Sequence, residues 1–155
     1  MLLNIAIKVQ MKPSQAILAS HVGLTGLPGY ALRRAANAMM ADLAGRLADL
    51  DLRISDSAVL QVVGEKTGMT SSEIGTILEI QRANMVPILD RLDAAGLIQR
   101  EPIDRKSQAI VLTARGRDML AEIRCVVQKF EDDLMARIPA RHRPHFLPAL
   151  RALMD

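Results

Sequence analysis

The sequence predicts a mainly α-helical protein that carries one small β-hairpin. Three observations lead there. Apolar residues recur at three- and four-residue steps through several long segments, as on helices with one buried face. One stretch, residues 97–113, changes to β-branched-rich runs on either side of a charged loop. Glycine, proline and hydroxyl residues stand between these segments, where turns and helix caps belong.

In order along the chain, "GLTGLPG" at 23–29 precedes the first long helix, predicted over 28–50. Its apolar face is Leu32, Ala36, Met39, Leu43, Leu47 and Leu50. Ser55 is the expected N-cap of a shorter helix bearing Val59, Leu60 and Val63. Thr70 and Glu73 have capping-box spacing, and they open a helix of about two turns with Ile74, Ile77 and Leu78. A turn around Glu79–Gln81 leads into "RANMVPILDRLDAAG", where Met85, Ile88, Leu89 and Leu92 form the inner stripe. "LIQREP" and "AIVLT" are the hairpin strands, joined through residues 103–108. Thr113 caps a second long helix, predicted over 114–138, with Met119, Ile123, Val127, Phe130 and Leu134 on one face. Pro139 ends it, and "RPHFLPALRALM" is a last helix interrupted by proline.

The totals narrow the function classes. The chain has 155 residues, 50% of them hydrophobic and 24% charged, so it folds around a core. Aromatic residues are 2% of the total, too few for a surface that stacks RNA bases. The net charge of +3 permits a polyanionic partner. With one cysteine, Cys125, no internal disulfide is available; its place among Val126 and Val127 reads as a small core residue. No apolar run approaches the ~18 residues of a membrane span, and the expected location is the cytoplasm. "MLLNIAIKVQMK" has Lys8 inside it and no small-residue cleavage site after it. Residues 1–27 read as an N-terminal extension in which Met11 offers a second start.

No catalytic constellation stands out, and no cofactor is expected. His142 and His145 are three apart on a proline-containing tail with no third ligand, which reads as a solvated pair rather than a metal site.

Two short helices joined by a tight turn and followed by a hairpin make a winged helix-turn-helix. The segment "TSSEIGTILEIQRANMVPILDRLDAAGLIQR", the tip "DRK" at 104–106 and "VLTARG" at 111–116 resemble the MarR family of bacterial transcriptional regulators over about residues 28–153. The resemblance implies a homodimer whose first and last helices interlock, with one winged helix-turn-helix on each flank. It also implies a repressor released by a small ligand, often aromatic or phenolic, with aromatic acids, phenols and their acyl-CoA thioesters as the candidates. The corresponding division is an extension at 1–27, a helical dimerisation region at 28–54 and 114–155, and a DNA-binding region at 55–113. The apolar stripes agree, since together they exceed what one small winged helix can cover, and a two-fold copy is the economical cover.

Candidate DNA contacts follow from the helix-turn-helix. The N-terminal end of the second helix enters the major groove, which selects Gln81, Arg82, Ala83, Asn84, Pro87 and the Arg91 edge. Asn84 suits adenine, and Arg82 suits guanine or a phosphate. Ser71 and Ser72, in the first turn of the preceding helix, suit phosphate oxygens. The resemblance sends Arg105 of the wing tip into the minor groove, beside Lys106, with Asp104 holding the loop or the arginine. Arg100, Arg115 and Arg117 add a diffuse positive field. The expected site is a pseudo-palindromic double-stranded operator.

Pro87 departs from the polar or basic residue more usual at this place in the family. It removes an N–H that would bond to Ala83, at a cost of ~3 kcal/mol in a helix interior. The expected result is a kink that tilts the first turn toward the groove; the other reading is a helix that starts late, near Val86. For an effector, Tyr30, Arg33 and Asn37 share one polar side of the first long helix and suit a carboxylate or phenol. The alternative function is a winged-helix protein–protein adaptor that binds no DNA.

Replacing Arg105 with Ala is expected to weaken specific and nonspecific duplex binding alike and to flatten the salt dependence by about one counterion, with folding intact. Titrations at several salt concentrations check this; an unchanged slope removes Arg105 from the contacts.

Overall fold

The computed structural model describes residues 22–104 and 107–154. The chain divides between Met40 and Ala41 into two compact units.

In the first unit, α1 is Val22–Thr25, and Leu27 N–H closes onto the Leu24 carbonyl behind it. Helix α2 is Pro28–Ala48 and runs through the division. Pro28 stands at its first position, where a missing N–H costs nothing and φ is preset. The Tyr30 ring carries Arg33 at 5.3 Å and Arg34 at 6.0 Å over its face. Leu24, Leu27, Leu32 and Met40 are exposed.

The second unit contains the rest of α2, then α3 (Ile54–Glu65), β1 (Met69–Thr70), α4 (Ser71–Ile77) and α5 (Arg82–Ala94). Strands β2 (Ile98–Pro102) and β3 (Gln108–Leu112) follow, then α6 (Ala114–Arg137), a 3-10 turn at Ala140–His142 and α7 (Arg143–Arg151). The strands form one antiparallel sheet in the order β1-β3-β2, with Ile110 opposite both Met69 and Arg100. The expected hairpin is present, but the wing sheet has a third strand. Met69 and Thr70 pair with a segment forty residues later, and two residues carry no periodicity by which to find them.

One core joins these elements. Leu47, Val59, Leu60, Ile74, Met85, Leu92, Leu97, Ile98, Ile110 and Ile123 are all buried in it. The stripes of α3, α5 and α6 were as expected, whereas Leu32 and Ala36 of the α2 stripe are exposed, and two further expectations differ. Ile77 is exposed, because α4 turns Ile74, Gly75 and Leu78 toward the core instead. Cys125 is also exposed rather than core, since α6 buries Leu120, Ile123 and Phe130 and places position 125 off that stripe.

Three helices end in the same way. Leu52 N–H reaches back to Leu47, Ile80 to Gly75 and Leu97 to Leu92, while Asp51, Glu79 and Gly96 bond Ala48, Thr76 and Asp93. This is the Schellman arrangement, whose residue after the cap is left-handed. Gly96 takes that conformation freely at φ 68°, whereas Asp51 and Glu79 take it at 58° and 53° against the Cβ penalty. Each motif bends the chain sharply, and at α2 and α5 it also places a leucine pair, Leu47 with Leu52 and Leu92 with Leu97, in the core.

Helix starts are local as well. Thr70 Oγ1 accepts from Glu73 N–H at 3.3 Å, while Thr70 N–H donates to the Glu73 carboxylate at 2.7 Å, the expected capping box. Thr113 Oγ1 accepts from Gly116 N–H at 3.0 Å. Ser55 is not a cap. The cap position is Arg53, two residues earlier, and the Asp56 carboxylate reaches back to Arg53 N–H at 3.0 Å. The lower half of α2 is tied to α6 by charge: Arg46 bonds Asp42 and Asp133, and Arg137 also reaches Asp42. The Arg46 guanidinium holds the Asp42 carboxyl below its ordinary range.

Two substitutions test this account of the turns. A Cβ on Gly116 would land on the Leu97 carbonyl oxygen, so Gly116→Ala is expected to cost about 3 kcal/mol or more. Glu79→Gly relieves a left-handed residue and is expected to gain about 0.5 kcal/mol net of the glycine entropy. Urea unfolding measures both.

Hydrogen bonds from the Thr70 backbone N–H, and then from its hydroxyl, hold the Glu73 carboxyl below its ordinary range, helped by Lys66. A depressed carboxyl contributes stability at pH above its unfolded value, and that stability is lost as pH falls through the folded value. The stability difference between the wild type and Glu73→Gln is therefore expected to be largest near neutral pH and to shrink in acid. A difference that grew on acidification would contradict the capping assignment.

Candidate nucleic-acid interface

Helix α5 presents two different faces. Met85, Ile88, Leu89 and Leu92 are buried against the core, while Arg82, Ala83, Asn84, Val86 and Pro87 are exposed. Gln81 is the cap residue, extended at φ −61° and ψ 145°, and its carbonyl receives Asn84 and Met85 N–H at 2.9 and 3.1 Å. The helix begins at Arg82, so the late start near Val86 is excluded. Pro87 lies inside the helix and has no N–H to offer the carbonyl of Ala83, an exposed residue.

Beside this turn, a cleft of ≈ 600 Å³ runs between α4, α5 and the wing sheet. Ser71, Ser72, Thr76, Arg82, Val86 and Arg100 are among its lining residues. The structure thus gathers three expected contact residues, Ser71, Ser72 and Arg82, into one concave surface. Thr76 and Val86 also belong to it and were missed in the sequence. Each looked like part of a helix, and only the relation of α4 to α5 shows that they share a face.

Arg91 does not belong to that surface. Its Nη2 donates to Asp56 Oδ1 at 2.6 Å and its Nη1 to the Pro87 carbonyl at 3.0 Å. Asp56 is 4% exposed, whereas the Arg91 side chain is half-buried, so the arginine reaches from the surface to an interior carboxylate. Arg91, expected as a DNA contact, therefore already has a buried carboxylate as its partner in the folded chain. Arg100 also has protein partners, Asp90 at 2.6 Å and Asp93 at 3.7 Å, which ties β2 to the outer edge of α5. Arg117 donates to the Leu112 carbonyl at 3.1 Å.

In the wing, Asp104 Oδ1 accepts from Ser107 N–H at 2.8 Å, and Ser107 accepts from Ile103 and Asp104 N–H in return. The aspartate therefore shapes the loop. Arg105 and Lys106 lie outside the described residues.

Of the effector candidates, Tyr30 is half-buried, with Arg33 against its ring, while Asn37 is exposed one turn along from Arg33. His142 accepts from Arg141 Nε at 3.0 Å, and both histidines are exposed. Among the described residues no group of three His, Cys, Asp or Glu side chains is placed to hold a metal ion. None of the described helices is long and apolar enough to cross a membrane.

Known proteins share this architecture. The winged helix DNA-binding domain family matches residues 52–116. The transcriptional repressor CouR bound to a 23-mer DNA duplex is 32% identical, with 84% of this chain and 94% of that chain covered and a TM-score of 0.74. CouR bound to p-coumaroyl-CoA gives 32% identity, 85% and 94% coverage and a TM-score of 0.76. The Mycobacterium tuberculosis MarR family protein Rv2887 in complex with salicylic acid is 25% identical, with 83% of this chain and 96% of that chain covered and a TM-score of 0.66. From the tight turn at Glu79 to the capped start of α6, the helix-turn-helix and wing follow the pattern of these regulators, and the chain belongs to the MarR family of winged helix transcriptional regulators.

Proposed function

We propose that this regulator is a homodimeric cytoplasmic repressor that holds a pseudo-palindromic operator and is released by a small acidic or aromatic effector. The observation that carries the DNA reading is the exposed first turn of α5 beside the cleft lined by Ser71, Ser72 and Arg82. In this reading Asn84 pairs with adenine, Arg82 with guanine or phosphate, and the serines with phosphate oxygens. Gln81 and Ala83 approach the same base edges, while Val86 and Pro87 offer apolar contact to a thymine methyl. Arg105 and Lys106 reach the duplex from the wing, on a loop that Asp104 holds. CouR on its DNA duplex supports this reading, and the relatives give the adaptor alternative no support.

The dimer is supported by apolar side chains that a single chain leaves in water. They include Leu27 and Leu32 at the N-terminal end of the described chain, and Leu147, Leu153 and Met154 at the C-terminal end.

Two places suit an effector. One is the polar side of α2 at Tyr30, Arg33 and Asn37. The other is a cavity of ≈ 480 Å³ between α3, the outer face of the sheet and α6, where Val63 and Leu120 are apolar walls and Arg117 and Arg124 are cationic. Salicylic acid on Rv2887 and p-coumaroyl-CoA on CouR support an anionic ligand with a phenolic ring, free or as a CoA thioester. Release requires that the effector bind the DNA-free geometry more tightly, by about 1.4 kcal/mol for each tenfold loss of DNA affinity.

Footprinting on the promoter beside its own gene, with and without salicylate or p-coumaroyl-CoA, tests the whole reading. Two protected half-sites centred about 10 bp apart are expected, with protection lost as ligand is added. Asn84→Ala is expected to cost about 1–3 kcal/mol at one base position in each half-site and nothing on unrelated DNA. Equal losses on both duplexes would remove Asn84 from base readout. A ligand whose affinity is the same with and without operator is not the effector.

A further inference from the structure

We infer that Asp56 sets how well α5 discriminates its operator, without touching DNA, by fixing the rotation of that helix through Arg91. The inference rests on the operator reading above and names positioning residues for it.

The carboxylate is itself fixed. It lies on the first turn of α3, with Oδ2 held by Arg53 N–H at 3.0 Å and Oδ1 by Arg91 Nη2 at 2.6 Å. At 4% exposure it sits where an unpaired carboxylate is costly, so removing its partner is expected to be felt. Thirty-five positions separate Asp56 from Arg91, so the pair joins two elements rather than two turns of one helix.

The arginine gives up something to be there. Its Nε is buried without a hydrogen-bond partner, while Nη1 donates to the Pro87 carbonyl at 3.0 Å. A guanidinium held only by solvent or a phosphate would not keep that arrangement.

Helix α5 has a particular need for such a hold. Pro87 removes one rung between the first turn, which carries Arg82 and Asn84, and the remainder of the helix. The other anchors, Met85, Ile88, Leu89 and Leu92, are apolar, and apolar burial is non-directional. A charge-assisted hydrogen bond fixes direction as well as distance. Asp56 therefore grips α5 through Arg91 and the proline carbonyl, one turn beyond the missing rung. A roll of about 10° moves a side-chain tip at the ~6 Å outer radius of a helix by about 1 Å. That displacement is enough to spoil a bidentate contact with a base, whereas contacts to phosphates tolerate it.

The test compares Asp56→Asn, Arg91→Met and the double variant on operator and on an unrelated duplex, each over a range of salt. Asparagine keeps an acceptor for Arg53 N–H and removes the charge. Each single variant is expected to lose about tenfold to a hundredfold of operator affinity, with nonspecific affinity and salt slope unchanged. The double variant is expected to be no worse than either single, because the two residues act as one device. Ile123→Ala, a buried change elsewhere, is expected to lower stability and leave the operator-to-nonspecific ratio alone. If a single variant fails to fold, the double variant, which removes both charges, carries the test and must show the lost ratio. The inference is overturned by an unchanged ratio in the folded variants. It is equally overturned if Arg91→Met weakens both duplexes and reduces the salt slope by about one, which would make Arg91 a phosphate contact. A wild-type protein that prefers no operator sinks the reading it rests on, whereas a discriminating wild type with indifferent variants sinks this inference alone.

Discussion

The arrangement of the DNA-binding part depends on one close approach, that of the first turn of α6 to the chain at Gly96–Leu97. Thr113 donates its hydroxyl to the Gly96 carbonyl at 2.6 Å and its N–H to the Leu97 carbonyl at 3.1 Å. The same hydroxyl accepts from Gly116 N–H, and Gly116 has no Cβ to strike Leu97. Three elements meet here: the end of α5, the strands of the wing and the start of α6. A single threonine therefore serves as helix cap, strand terminus and link to the recognition helix, which gives the "LTARG" stretch a physical basis. A larger residue at 116 would push α6 away and release the wing together with the helix end.

From that junction the two faces of α5 acquire separate duties. The inner face is apolar and continuous with the core, while the outer face begins with Arg82 and Asn84 in the open. Between them lies Pro87, whose missing N–H falls opposite the exposed residue Ala83. The charged residues further along the helix are used for holding it. Arg91 goes to Asp56 behind, and Asp90 and Asp93 go to Arg100 of the wing. Acidic side chains on a DNA-facing helix would repel phosphates, and pairing them with a wing arginine reduces that repulsion while it ties the wing to the helix.

The long helices show a different balance. On α2 the residues after Met40 enter the core progressively, from half-buried Leu43 to Leu47 at no exposure, and are fastened to α6 through Asp42 and Arg46. Leu32 and Met40, in the other unit, remain exposed. Exposed apolar side chains of this kind are what a second copy covers in a homodimer.

What the sequence determined by itself was local. Thr70 with Glu73 and Thr113 with Gly116 are caps made within four residues, and the helix stripes and the hairpin are periodicities of 3.6 and 2, so each is visible in a short window. The exposure of the first turn of α5, Arg82 to Asn84, followed from the same periodicity once Met85 was placed inside. The tertiary structure decided whatever depends on contacts distant in sequence. Strand β1 exists only because Met69 finds Ile110. Arg91 looked like a surface cation until Asp56 was brought beneath it, Ile77 and Cys125 were turned outward by the choice of which neighbours face the core, and Thr76 and Val86 became lining residues of a cleft. Helix propensity and capping are set by neighbours a turn away, but the environment of a side chain is set by whatever the rest of the fold places against it, and no window of sequence contains that.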